Sequence, residues 1–229
     1  MKFIILTLFP ESFKSYFNIS ILARAVAKKF IKIEVKNLRD WATDAHKTVD
    51  DRPYGGGVGM VLRVDILARA LHALKLKVKS KKLKVILLTP QGKPFNQKLA
   101  QKLSKNKTLV LICGRYEGFD ERIRKMVDME VSIGDYVLTG GEIPAMAVVD
   151  AVARLIPGVV GKYESTVNES FSEFAGRRML EYPQYTRPEV FGKIKVPKVL
   201  LSGDHKKISD WRKKEALKRT ISRRPDLLK

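Results

Sequence analysis

Apolar residues fall into short β-like runs and longer helical stretches that alternate along most of the chain. Lys2 to Phe9 is apolar and β-prone and stops at Pro10, which predicts a first strand. Ser12 stands where it would cap a helix whose Phe13, Tyr16, Phe17, Leu22 and Val26 share roughly one face. Ile31 to Leu38 alternates apolar and polar residues, as a half-buried strand does, and a further helix is predicted over Asp65 to Leu74. Strand, helix and strand at this spacing open an α/β domain with a parallel sheet.

Three later runs end alike. Lys84 to Leu88 runs into Thr89-Pro90-Gln91-Gly92, Thr108 to Cys113 into Gly114-Arg115-Tyr116-Glu117-Gly118, and Val131 to Ile133 into Gly134-Asp135-Tyr136. Helices are predicted after the first two, over Asn96 to Ser104 and Asp120 to Val127. In open parallel sheets, ligands collect outside the carboxyl ends of strands, so three such ends predict one shared pocket. The third run continues through Val137 and Leu138 to the pair Gly140-Gly141 and a helix opening at Pro144. Glycine lets another group approach the main chain, and proline early in a helix lacks only an N–H that has no partner there. Main-chain groups converging at such a turn suit a polar small molecule, with apolar neighbours for a flat ring. An ordinary strand-to-helix connection has the same texture. Pro144 to Leu155 is apolar nearly all round, which predicts a buried helix. Asp150 and Arg154 interrupt it four residues apart, and two readings stay open. One is an internal ion pair, such as at a dimer interface; the other is an arginine aimed at developing negative charge.

Charge sharpens the picture. The 229 residues carry a formal net charge of +21 and a pI near 10, which points to a polyanion as partner. A membrane is disfavoured as that partner because no apolar run approaches the roughly 20 residues a span needs. The first residues lack the pattern of a signal peptide. The single Cys113, inside the apolar run LVLIC, reads as a buried thiol of a cytosolic protein. Asp44 to Met60, DAHKTVDDRPYGGGVGM, is glycine-rich and polar, with neither dinucleotide-binding nor P-loop spacing. Its His46, Asp50, Asp51 and Arg52 are either substrate contacts or a solvated loop. Lys75 to Lys84 reads as a lysine-rich surface hinge. Residues 1–160 form the expected first domain, 161–176 a polar, flexible linker by composition, and 177–229 a small basic C-terminal domain. The last has a helix predicted from Ser209 and offers a cationic face to RNA, with affinity that falls steeply with salt.

HKTVDDRPYGGGVGM, TPQGKPF, LICGRYEGFDER, SIGDYVLTGGEIPAM, IPGVVG, YPQYTRPEV, LLSGDHKKI and RRPDLL occur in that order between Leu8 and Leu228. Together they resemble the bacterial tRNA (guanine-N1)-methyltransferases of the TrmD type. The resemblance implies the SPOUT methyltransferase fold, an α/β domain with a deep trefoil knot, plus a small, mainly helical C-terminal domain. It also implies a cytoplasmic homodimer with active sites shared between subunits. The implied reaction is methylation of N1 of the guanosine at position 37 of tRNA, next to the anticodon, with S-adenosylmethionine as donor. The family's cofactor-binding positions fall on Leu88, Pro90, Gln91, Gly114, Tyr116, Glu117, Ile133, Gly134, Asp135, Tyr136, Val137, Leu138, Gly140, Gly141 and Pro144. Its catalytic pair falls on Arg154 and Glu169.

Guanine N1 carries a proton that a base must remove as the nitrogen attacks, and negative charge then moves to O6. In the resemblance, Glu169 is the base and Arg154 steadies the charge. The family motif, often Glu-Asp-Ser-Phe, aligns with Asn168-Glu169-Ser170-Phe171, so the carboxylate here is one methylene longer. Family members use Mg²⁺, for which Glu117 is a candidate, although no ligand cluster in the sequence marks a metal site. Two rivals are a ribose 2′-O-methyltransferase of the same superfamily and an RNA-binding module that keeps the fold without catalysis.

Overall fold

The computed structural model describes residues 1–77, 83–161, 169–174 and 177–228, which divide into two compact units, Met1–Gly161 and Lys162–Lys229. In the first unit, strands β1 (Lys2–Thr7), β2 (Lys32–Asn37), β5 (Leu83–Pro94), β6 (Thr108–Cys113) and β7 (Met129–Ser132) form one parallel sheet in the order β2-β1-β6-β5-β7. The central strands are continuous apolar runs because both faces of the sheet are covered. Phe3, Ile5, Ile86, Leu88, Leu109 and Leu111 pack on one face, in the same cluster as residues of α2 (Ser20–Ala27), α4 (Gln97–Ser104) and α5 (Glu142–Ala153). Their alternate neighbours Ile4, Leu6, Val85, Leu87, Val110 and Ile112 pack on the other face against α3 (Val64–Lys77). The two-residue period of a strand thus sorts one apolar sequence into two cores.

Several expectations shift. The helix expected from Ser12 is broken into a 3₁₀ turn over Pro10–Phe13, a short α1 (Lys14–Phe17) and α2, which opens at Ser20 with φ 53°. The break rotates the face, so Phe13, Phe17 and Leu22 are buried whereas Tyr16 and Val26 are exposed. The glycine-rich stretch is the tip of a hairpin in which β3 (Asp50–Asp51) pairs antiparallel with β4 (Val61–Leu62). Gly55, Gly56, Gly57 and Gly59 all have positive φ there. The helix expected over Asp120 to Val127 is a 3₁₀ segment, Glu121–Met126, capped by the Asp120 carboxylate, which accepts from the Arg122 N–H. Helix α5 begins at Glu142, two residues before Pro144, so the proline sits in the first turn, where its missing N–H still costs no helical bond.

The sharpest departure is in β5. Leu88 and Lys93 both pair with Val131 of β7, so Thr89 to Gly92 bulge out of the ladder. Gly92 lies so close to β7 that a Cβ would stand 2.4 Å from the Val131 nitrogen. Only glycine fits that approach.

The second unit contains two small antiparallel hairpins, β8 (Ser172–Phe174) with β9 (Arg177–Met179) and β10 (Val190–Phe191) with β11 (Ile194–Lys195). They are followed by a 3₁₀ turn, Lys198–Leu201, and the long helix α6 (His205–Arg223). This helix starts four residues before the expected Ser209 because Asp204 caps it, accepting from the Lys207 N–H at 3.0 Å. Thr220 ties the unit together: its hydroxyl donates to the Ala216 carbonyl at 2.7 Å and accepts from the Leu180 N–H at 2.9 Å. Most of the expected linker, residues 162–168 and 175–176, lies outside the described residues, as do residues 78–82 of the lysine-rich run.

Candidate active site

The carboxyl ends of β5, β6 and β7 enclose a pocket of about 370 Å³. Its walls come from three chain segments: Leu88 to Gln91, Gly114 to Phe119 together with Glu121 and Arg124, and Val131 to Pro144 in part. Of the expected cofactor-binding residues, Leu88, Pro90, Gln91, Gly114, Tyr116, Glu117, Ile133, Gly134, Tyr136, Val137, Leu138, Gly140, Gly141 and Pro144 line it. Asp135 does not. Arg154 lies at the C-terminal cap of α5, half-buried and outside the pocket lining, its N–H donating to the Asp150 carbonyl at 3.1 Å. Asp150 accepts a 2.6 Å hydrogen bond from the Tyr16 hydroxyl, and that bond to the carboxylate, aided by burial, raises the tyrosine pKa. Glu169 belongs to the second unit, half-buried beside the β8–β9 hairpin, where its carbonyl accepts from the Ser172 N–H at 3.0 Å.

Close main-chain packing sets the pocket floor. The Gly141 N–H donates to the Gly114 carbonyl at 2.9 Å, and a Cβ on Gly141 would lie 2.6 Å from the Cys113 Cα. Tyr116 holds φ at +59°, a conformation a non-glycine residue adopts only when its surroundings impose it, and its ring is 48% exposed. The imposing contacts come from the hairpin. The Glu117 N–H donates to the Met60 carbonyl, and the Leu62 N–H donates to the Gly118 carbonyl. Gly59 leaves room for the Glu117 side chain, which a Cβ there would meet at 2.5 Å. The glycine-rich hairpin is therefore fastened to one wall of the pocket.

Two arginines that sequence reasoning did not single out organise the walls. Arg115 donates to the Thr139 carbonyl at 3.2 Å, and its guanidinium lies 4.4 Å from the centre of the Phe9 ring. It also stands 2.9 Å from Glu142, a carboxylate that is 4% exposed and accepts from the Thr7 hydroxyl at 2.6 Å. That ion contact lacks hydrogen-bond alignment, since Arg115 Nε and Glu142 Oε2 are both buried without an aligned partner. Coulomb attraction rather than a directed bond holds the pair. Arg124 donates to the Gln91 side chain and pairs with Glu121 and Glu130, so it joins the β5 bulge to the start of β7. Arg115 lies inside the motif CGRYEGFDER and Arg124 two residues beyond it; Glu142 and Gln91 are too distant in sequence to be paired with them by inspection, whereas Glu121 stands three residues before Arg124. Burial, reinforced by the nearby Glu142 charge, pushes the Cys113 thiol well above its usual pKa, so it is a packing residue and no nucleophile. Among the described residues, no group of three or more His, Cys, Asp or Glu is placed to hold a metal ion, and no helix is long and apolar enough to cross a membrane.

The pattern of the family described as tRNA (Guanine-1)-methyltransferase TrmD matches residues 1–229. A tRNA (guanine-N(1)-)-methyltransferase of Dictyoglomus turgidum is 55% identical over 98% of this chain and 88% of its own length. Proteins of the same name from a Geobacter species and from Citrifermentans bemidjiense are each 54% identical over the whole chain and 90% of their own length. The chain therefore belongs to the tRNA (guanine-1)-methyltransferase family and is a methyltransferase.

Proposed function

We propose that the chain transfers the methyl group of S-adenosylmethionine to N1 of the guanosine at position 37 of tRNA. The observation that carries this reading is the pocket at three adjacent strand ends, in a chain matched over its full length by the family. The pocket fits the donor by size and lining. Its volume is that of a small-molecule site, Leu88, Ile133 and Leu138 offer apolar surface to a flat base, and Glu117 offers a carboxylate to a cationic group. When bound, S-adenosylmethionine supplies an electrophilic methyl group on a sulfonium centre.

The residues then divide the work. Glu169 takes the N1 proton, which frees the nitrogen lone pair to form the new N–C bond as the methyl–sulfur bond breaks. Arg154 stabilises the negative charge that gathers on O6. The tyrosine hydroxyl on Asp150, one turn earlier in α5, keeps that carboxylate engaged beside the arginine's helical position.

The proposal extends to a cytoplasmic homodimer with shared active sites and a trefoil knot in the first unit; for Mg²⁺ the described residues offer Glu117 without the ligand cluster a metal site needs, and no step is routed through it. Close main-chain approaches at Gly92 and Gly141, where no Cβ fits, support the knotted reading, because threaded segments must pass one another at backbone distance.

Single-turnover methyl transfer to a tRNA transcript, with the modified base located by mass spectrometry, tests the proposal. The wild type forms N1-methylguanosine at position 37. Glu169→Gln and Arg154→Ala each slow transfer by about 10²-fold or more while still binding S-adenosylmethionine. Undiminished transfer in Glu169→Gln removes that residue as the base. Absence of product on every tRNA favours a binding module without catalysis.

A further inference from the structure

The second unit holds a pocket of its own, about 430 Å³, that the methyl-transfer chemistry does not use. It is formed by the YPQYTRP segment folding against the 3₁₀ turn Lys198–Leu201 and the first turns of α6. Tyr182 and Tyr185 supply aromatic surface to it, and Leu200, Leu201 and Ile208 supply aliphatic surface. The Arg212 guanidinium lies over the Tyr182 ring at 4.8 Å, while Tyr185 leans on Trp211 with ring centres 6.3 Å apart. Both rings are thus braced by neighbours, yet Tyr185 stays 46% and Leu201 51% exposed. The slot thus sets aromatic and aliphatic surface beside the polar side chains of Gln184, Thr186, Arg187, Glu189 and Arg212.

From this arrangement we propose that the pocket takes one unstacked nucleobase of the tRNA, outside the methylation site. The inference rests on the tRNA reading above. Single-stranded bases are recognised by stacking on tyrosine and arginine planes, with polar groups reading the base edge. Residues 177–229 carry sixteen Lys and Arg against six Asp and Glu, so a polyanion meets an attractive field around the slot. Arg187 stands at the pocket wall to meet the phosphate of the inserted nucleotide. Glu189, also in the wall, can only accept hydrogen bonds when ionised. It therefore favours a base edge that presents N–H donors, guanine with its adjacent N1–H and amino group most of all.

The test measures binding of the full chain to a tRNA transcript and to transcripts carrying one abasic nucleotide at successive positions. Tyr185→Ala weakens tRNA binding about ten- to a hundredfold, the range of one lost stacked base, while Tyr185→Phe binds as the wild type does. Its affinity for S-adenosylmethionine stays unchanged, and the slope of log affinity against log salt is preserved because no phosphate contact is removed. One abasic position weakens the wild type and adds nothing to Tyr185→Ala. Equal tRNA affinity for wild type and a folded Tyr185→Ala overturns the pocket assignment alone, as does a scan with no sensitive position. A wild type that binds S-adenosylmethionine but no tRNA overturns the tRNA reading and the pocket with it.

Discussion

Between Met1 and Gly161 nearly whole strands are withdrawn from water, whereas among the described residues of the second unit only Ala216 and Thr220 are buried. One unit is built around a core, the other around a surface. A small-molecule site gains from the first arrangement, because loops anchored on buried strands hold their geometry before a ligand arrives. A basic unit with little core has a different strength: its aromatic and cationic side chains remain outside, available to a large polyanion. In the proposed function the rigid pocket takes the methyl donor and the exposed surface meets RNA.

The largest expected effect comes from breaking the ion pair between Arg115, in the wall of the first pocket, and the buried Glu142. Arg115→Ala leaves the Glu142 carboxylate buried without its cation and costs about 3–5 kcal/mol of stability, read as a drop in the denaturation midpoint. It also frees the Thr139 carbonyl and loosens the loop leading to Gly140. A smaller loss, about 1–3 kcal/mol and confined to the second unit, is expected for Thr220→Val, which strands the Leu180 N–H. Hydrogen exchange should show faster exchange in α6 and unchanged protection in β1 and β6. Equal loosening of both units would erase the contrast drawn between them.

The smallest effect concerns acid. Hydrogen bonds from Arg122, outweighing desolvation, hold the Asp120 carboxyl below its usual pKa. A carboxylate depressed in the folded state adds stability above its unfolded pKa, near 3.9, and loses it as pH falls through the lower folded value. Asp120→Asn keeps a capping oxygen but removes the charge. Its cost at neutral pH is under about 1 kcal/mol, given the exposure of Arg122, and its penalty relative to wild type should shrink below about pH 4. Urea titrations at pH 3 and pH 7 measure the difference.

Much of the first unit was legible because burial on both faces leaves a plain record in the residues. Thr108 to Cys113 is apolar enough to be read as a strand with the bounds it has. Asn96 likewise announces α4, accepting from the Leu99 N–H as a cap. Features decided by distant contacts were harder. The break between α1 and α2 depends on how Phe17 and Leu22 reach one core from opposite sides of Ser20, which periodicity within one helix cannot express. The bulge at Thr89 to Gly92 depends on β7, about forty residues on. Most pocket residues were named through family motifs, but the contacts of Arg115 with Glu142 and of Arg124 with Gln91 span about thirty residues, and no spacing rule joins them. Asp135 carries its motif position without lining the pocket, although Gly134 and Tyr136 on either side of it do.

The central claim is that the pocket at the ends of β5, β6 and β7 holds S-adenosylmethionine without help from RNA. Isothermal titration of S-adenosylmethionine into the full chain, beside Gly141→Ala, tests it most directly. A Cβ at Gly141 would press on the Cys113 main chain and push the pocket floor apart. The wild type should bind one molecule per chain with no tRNA present, and Gly141→Ala should bind at least about tenfold more weakly, the equivalent of about 1.4 kcal/mol. Binding that is absent in the wild type, or equally tight in a folded Gly141→Ala, would contradict the assignment.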